Sequence, residues 1–321
     1  MRIGYFLSSE EYTPSQLVEQ ALAAEDAGFD GLWISDHIQP WNSTQGQSPM
    51  VWPMIGAIAQ VSALPIMTAV TCPIGRQSPL MVAHAAATCA VLNPGFRLGV
   101  GTGEALNEHL TGQGWPSFDV RIEMLREAVD LMRALWTGET VDHRGRWFTV
   151  DDARLWTLPG TPPEIWMSGF GEKATRVAAE IADGYVNTAP GAELRSLFSE
   201  ASGGRPTAAG LKVAFAPSRE EGVEHAHRLW ANAGLPGELA QVLPSPRHFE
   251  QASELVTKQA TAESVVAGSA AGEHVAAVRE YAEAGYDEVY VSNMGPHYRE
   301  MIEFYGEQVL PGVRRSTSAA D

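Results

Sequence analysis

The chain has 321 residues, and 39 acidic against 22 basic side chains leave it with a formal charge of −17. That balance, with no run of Lys or Arg to offset it, argues against a nucleic-acid or anionic-membrane partner. No apolar run reaches the roughly 18 residues of a membrane span, the opening MRIGYFLSSEEY lacks a basic-then-apolar export pattern, and Cys72 and Cys89 show no disulfide or metal spacing, so a reduced, cytoplasmic protein is expected.

Short apolar runs alternate with amphipathic helical stretches, the pattern of βα units on a parallel sheet. In chain order, strands are predicted at 3–7, 31–35, 66–70, 96–101, 164–168, 184–187, 211–216 and 288–292. Eight such strands predict a closed (β/α)8 TIM barrel, and the length suits one domain over residues 1–315 with insertions. Helices at 15–27 (Leu17, Ala21, Ala24 and Ala27 on one face) and 119–136 (Ile122, Leu125, Val129, Met132) carry apolar stripes that read as packing on the barrel. The segments AGFDGLWISD and AGYDEVYVSN echo one another, as a repeating helix–turn–strand unit would. Two stretches break the rhythm: a hairpin insertion near 139–160, and a Pro- and Gly-containing one near 231–260 that should lay short helices over one end as a lid or a dimer contact. The small, polar tail 316–321 should be disordered.

Chemistry-bearing residues cluster where predicted strands end, the side on which such folds place their sites. The strand 96–101 runs into the turn Gly101-Thr102-Gly103, followed by Glu104 and Asn107. The strand 31–35 runs into Asp36 and His37, with Trp41 close behind. An imidazole there can exchange protons near neutral pH beside an orienting carboxylate, or Asp36 can simply cap a turn with His37 packed in a loop. The strand 66–70 ends in Thr71-Cys72-Pro73, where Cys72 has no histidine neighbour to make it a nucleophile. A further turn, Ser168-Gly169-Phe170-Gly171, opens a helix whose backbone N–H groups can hold a phosphate, with Lys173 nearby. There is no GxSxG, HExxH or Walker motif and no cluster at metal-ligand spacing, so no metal is expected. A proton-transfer set without a protein nucleophile favours cofactor chemistry.

Taken together and in this order, SDHIQPW, AVTCP and GVGTGEALNE resemble the luciferase-like superfamily, specifically its F420-dependent oxidoreductases grouped with glucose-6-phosphate dehydrogenase, from Arg2 to about Val313. The resemblance implies a TIM barrel, a homodimer, F420 as cofactor with FMN as the alternative ring, and hydride transfer between deazaflavin C5 and a hydroxyl or carbonyl carbon. It implies that His37 is the base toward a substrate hydroxyl, that Glu104 donates a proton at the ring and that Trp41 lines the substrate pocket. Asp36 would bind the cofactor and fix His37. Asn107, the turns Gly101-Thr102-Gly103 and Ser168 to Gly171, and Ala69, Val70, Thr71 and Cys72 would form the rest of the cofactor site. The imidazole and the carboxylate would then flank opposite sides of one planar ring. Ala69-Val70 matches a position associated with a non-prolyl cis peptide, although the family has Ser where this chain has Ala69. The cations that hold a sugar phosphate in the family fall near Pro190, Gln251 and Ser264, so a neutral alcohol, sugar or ketone is the expected substrate. The competing readings are an FMN-dependent reductase or monooxygenase, a sugar-phosphate dehydrogenase, and a barrel that binds a cofactor without catalysis.

Overall fold

The computed structural model describes residues 1–317. Its strands are β1 (Arg2–Leu7), β2 (Leu32–Ile34), β3 (Ile66–Thr68), β4 (Leu98–Val100), β5 (Val141–Arg144), β6 (Thr149–Ala153), β7 (Ile165–Ser168), β8 (Gly184–Asn187), β9 (Thr207–Ala214), β10 (Val266–Ala267) and β11 (Glu288–Asn293). Parallel pairing runs in the order β3-β2-β1-β11-β9-β8-β7-β4, with β10 added to the end of β9. Parallel bridges Met67–Arg97 and Thr71–Val100 then join β3 to β4 and complete a barrel of eight parallel strands. Gly99 makes that seam possible, because a Cβ there would lie 1.9 Å from the Thr68 carbonyl oxygen.

The helices up to the 231–260 insertion are α1 (Pro14–Asp26), α2 (Val51–Ile58), α3 (Pro79–Leu92), α4 (Ala105–Glu108), α5 (Phe118–Leu135), α6 (Glu172–Ile181), α7 (Ala192–Ser202) and α8 (Arg219–Trp230). They start where the sequence supplies caps: the Thr13 hydroxyl accepts from Gln16 N and Gln16 answers in a capping box, while Ser78 and Ser218 cap α3 and α8. The buried face of α1, Leu17, Gln20, Ala21 and Ala24, is the stripe expected from its period. Between α5 and β7 stands the antiparallel β5–β6 hairpin, held by Glu127, whose carboxylate accepts from the backbone N–H groups of Arg146, Trp147 and Phe148. Between α8 and β10 lie α9 (Leu239–Val242), α10 (Pro246–Ser253) and α11 (Lys258–Ser264); α12 (Ala271–Glu283), α13 (Tyr298–Phe304) and α14 (Leu310–Thr317) complete the fold.

Two differences from the sequence reading have physical reasons. The strand predicted at 211–216 begins at Thr207, because Ala208, Ala209 and Gly210 have little intrinsic strand preference yet are enlisted with Thr207 by pairing with β8 and β11. Their small size also leaves room inside the barrel for Trp33, which stacks on Tyr290 at 4.3 Å. The last helix reaches Thr317, two residues into the tail expected to be irregular, and residues 318–321 lie outside the described part.

The barrel interior is filled by Trp33, Met67, Trp166, Val186, Ala208 and Tyr290. Below them, at the N-terminal end of the strands, Arg97 donates to both carboxylate oxygens of Glu288 at 2.9 and 2.8 Å and to the Tyr290 hydroxyl at 2.6 Å. Its guanidinium also lies 4.5 Å from the Trp166 ring centre. This plug closes the bottom of the barrel, which leaves the C-terminal mouth as the place for a site.

Candidate active site

The mouth opens into a cavity lined on one side by Asp36, His37, Trp41, Glu104 and Asn107. The loop after β2 carries His37 and is tied to α4, because the Asn107 side-chain oxygen accepts from Ile38 N at 2.8 Å and Gln39 N at 3.1 Å. Glu104 occupies the N-cap position of α4 in an extended conformation, which aims its carboxylate across the mouth instead of along the helix. His37 Nε2 consequently sits 3.5 Å from Glu104 Oε2, and His37 Nδ1 lies 3.6 Å from Glu10 Oε1 and 3.2 Å from the Gln39 carbonyl. Burial pushes the Glu104 carboxyl above the ordinary carboxylate range, against the opposing pull of His37. Trp41 stands 5.0 Å from the His37 ring and packs edge-on against Phe249 of α10, so the 231–260 insertion holds this wall in place.

The arrangement changes two expectations. His37 is not fixed by Asp36: the Asp36 carboxylate pairs with Arg76 at 2.8 Å and accepts from the Thr71 hydroxyl at 2.8 Å and Gln77 Nε2 at 3.0 Å. Asp36 is already saturated by these partners, and Glu10 and Glu104 face the imidazole in its stead. Nor do His37 and Glu104 flank opposite faces of a ring. A gap of 3.5 Å cannot admit an aromatic plane, which needs about 3.5 Å on each face.

Ala69, Val70, Cys72, Gly101, Thr102 and Gly103 form the floor. The Ala69-Val70 peptide is cis, as the resemblance implied. Gly103 has φ +75° and lies so near Cys72 that a Cβ would meet its Sγ at 2.6 Å, so the turn requires glycine. Cys72 is buried and burial holds its thiol well above its usual range, which suits a wall and not a nucleophile. Ser168, Gly169 and Phe170 face the cavity from the end of β7. Gly171 serves as N-cap of α6, Thr71 turns its hydroxyl to Asp36 behind the wall, and Lys173 pairs with Asp119 at 2.5 Å on the surface.

Sequence reading missed three charged groups in or beside this cavity. Lys212, in the middle of β9, places its ammonium 3.0 Å from the Trp230 ring centre, and burial lowers its pKa to about 8 against the attraction of Glu10, Glu11 and Glu104. Glu11 accepts from Trp230 Nε1 and from Gly295 N, and burial raises its pKa to about 7. Glu10 accepts from the Ser35 hydroxyl at 2.9 Å. The available signals were a lysine inside the apolar run LKVAF and a Glu-Glu pair just past the end of β1.

An eight-stranded parallel barrel with an imidazole and a carboxyl side by side at its C-terminal mouth is a scaffold of the luciferase-like type, and the profile of the luciferase-like monooxygenase family matches residues 1–288. The chain belongs to that family. Within it, the chain is 36% identical over 330 aligned positions to an F420-dependent glucose-6-phosphate dehydrogenase of Nakamurella multipartita, covering 98% of this chain and 97% of that one. It is 32% identical to the enzyme of the same name from Microbacterium testaceum, covering 98% of each. Among solved structures, an F420-dependent secondary alcohol dehydrogenase in complex with an F420-acetone adduct superposes with a TM-score of 0.90 at 32% identity, over 98% of this chain and 99% of that one.

Proposed function

We propose that this protein is an F420-dependent oxidoreductase that moves a hydride between the deazaflavin and the carbinol or carbonyl carbon of a neutral alcohol, sugar or ketone. The observation that carries the reading is the His37–Glu104 pair at 3.5 Å, with Glu10 behind the imidazole, at the edge of a cavity whose depth is apolar. Phe6, Trp33, Val70 and Val186 offer a dry surface for a flat conjugated ring, and the backbone at Ser168 to Phe170 is placed for its polar tail. When bound, F420 supplies the two-electron hydride acceptor or donor. The chain supplies the proton chemistry: His37 accepts the hydroxyl proton as the alcohol is oxidised, and the neighbouring Glu10 carboxylate stabilises the resulting imidazolium. Glu104, kept above the usual carboxylate range by its enclosure, can hold a proton at the cofactor edge. Trp41 shields the reacting carbon from water.

A neutral substrate is favoured because Lys212 is the single Lys or Arg among the cavity-lining residues, and its charge is already engaged by Trp230 and the surrounding carboxylates. A phosphate dianion would lack the paired cations needed to leave water. We further read the enzyme as a homodimer in the cytoplasm, a reading supported by the family resemblance and by two free, buried cysteines. No helix among the described residues is long and apolar enough to cross a membrane.

The test is a fluorescence titration with F420 and, separately, FMN, followed by turnover assays with a secondary alcohol, glucose and glucose 6-phosphate. Tight binding of F420 with turnover of a neutral substrate supports the proposal. Preference for FMN with oxygen uptake, efficient turnover of glucose 6-phosphate alone, or cofactor binding without turnover of any substrate would each replace it with one of the rival readings. Light scattering of the purified chain tests the dimer.

A further inference from the structure

Outside the cavity, one cluster of side chains has the composition and spacing of a cation site. Glu221 and His225 stand one helical turn apart on α8, and His297 approaches from the segment between β11 and α13. One ligand atom from each of the three lies within 4.8 Å of the other two. None of the three lines the active-site cavity.

We propose that Glu221, His225 and His297 form a binding site for a divalent transition metal ion of the zinc, nickel or cobalt type. An i, i+4 pair on one helix face presents two side chains to a common point. His297 Nε2 is 3.0 Å from Glu221 Oε1, close to the roughly 3.3 Å edge of a tetrahedron built on 2.0–2.1 Å bonds, so an ion can replace this hydrogen bond with little movement. The other ring nitrogen of His297 faces Glu300 Oε1 at 3.8 Å, which places a carboxylate behind the imidazole as in many metal centres.

His225 supplies a second observation. Its Nδ1 is buried and has no hydrogen-bond partner, an unsatisfied state that native structures seldom tolerate without a reason. The side chain is pressed under the backbone of Gly295, where φ is +104° and a Cβ would meet the His225 ring at 3.1 Å. The imidazole is therefore positioned before any ion arrives. A two-nitrogen, one-oxygen set suits borderline ions better than calcium or magnesium, which prefer oxygen alone.

Such an ion would clamp the first half of α8 to the segment after β11, adjacent strands' excursions that the described structure joins at this point by the His297–Glu221 contact. Binding to the folded state alone would then raise the melting temperature with ion concentration. The experiment uses the full chain, stripped with chelator, titrated calorimetrically with zinc chloride and followed by absorption with cobalt(II). Expected are one ion per chain and a visible cobalt spectrum of nitrogen–oxygen coordination. The His225→Ala/His297→Ala double variant should lose the site, and Glu300→Gln should weaken it by about tenfold. Far-UV circular dichroism checks that the double variant is folded; if it is not, Glu221→Gln with wild-type cobalt spectra decides the same question. Absence of stoichiometric binding to the wild type, or undiminished binding and spectrum in the folded variants, would overturn the proposal. Cofactor titration is a separate readout, so failure here leaves the hydride-transfer reading untouched.

Discussion

The two ends of the barrel both bury charge, and they do so in opposite ways. At the bottom, Arg97 meets Glu288 with two hydrogen bonds and Tyr290 with a third, and Arg2 reaches Glu288 as well. Burial works against ionisation of Glu288, yet the hydrogen bonds and charge of Arg97 outweigh it and hold the carboxyl below its ordinary range. At the mouth, His37 approaches Glu10 and Glu104 only to 3.6 and 3.5 Å, and Glu104 and Glu11 are pushed up, not down. The saturated network at the bottom ties distant strands together, whereas His37 and Glu104 at the mouth leave hydrogen-bonding capacity unused. The same residue types thus act as structure or as chemistry according to how completely their hydrogen-bonding capacity is used.

The largest effect is expected at the imidazole. His37→Ala should lower turnover by roughly 10²–10⁴-fold while fluorescence titration shows cofactor affinity largely retained. A loss of folding with it would mean that the mouth is as structural as the bottom. Glu288→Ala should do the reverse, costing about 3–5 kcal/mol in urea unfolding by stranding the Arg97 charge, with turnover of the remaining folded enzyme little changed. Equal effects of both substitutions on stability would show that the two ends use buried charge in the same way.

Two smaller effects concern the pH dependence of stability. The folded-state pKa of Glu11, about 7, lies above its reference value of 4.5, so the native chain binds more protons between those values and stability falls as pH rises through that window. Glu11→Gln should flatten this part of the stability profile measured by thermal melts. For Lys212 the sign is opposite. With a folded pKa near 8 against a reference of 10.5, the unfolded chain binds more protons in that interval and stability rises with pH there. Lys212→Met should remove that rise, and a variant profile that keeps it would show that the ammonium is not enclosed.

Much of the mouth was legible in the chain because its signals are local. A strand followed by Asp36-His37, another followed by Gly101-Thr102-Gly103 and Glu104, and a third followed by Thr71-Cys72 each announce a βα turn, and a parallel barrel brings all such turns to one rim. What escaped were contacts between turns. Asp36 is next to His37 in sequence, which suggests a pair, but the backbone at that point sends the two side chains apart, Asp36 to Arg76 and His37 toward Glu104. Lys212 was passed over because an alternating strand does not reveal which residue faces the barrel's upper interior until the register with β11 is known.

The βα repeat, the eight barrel strands, the buried stripes of α1 and α5, and the placement of Asp36, His37, Glu104 and Asn107 just past strand ends are written in short stretches of the chain. They follow from periodicity and glycine turns, properties of a few consecutive residues. Only the tertiary structure decided that Glu10 from β1's end and Glu104 from β4's end converge on one imidazole, that Arg76 takes Asp36 away from it, and that His297 comes to Glu221 and His225. Those pairings depend on how strands are ordered and staggered around a closed cylinder, a geometry set by packing and hydrogen-bond register across distant segments.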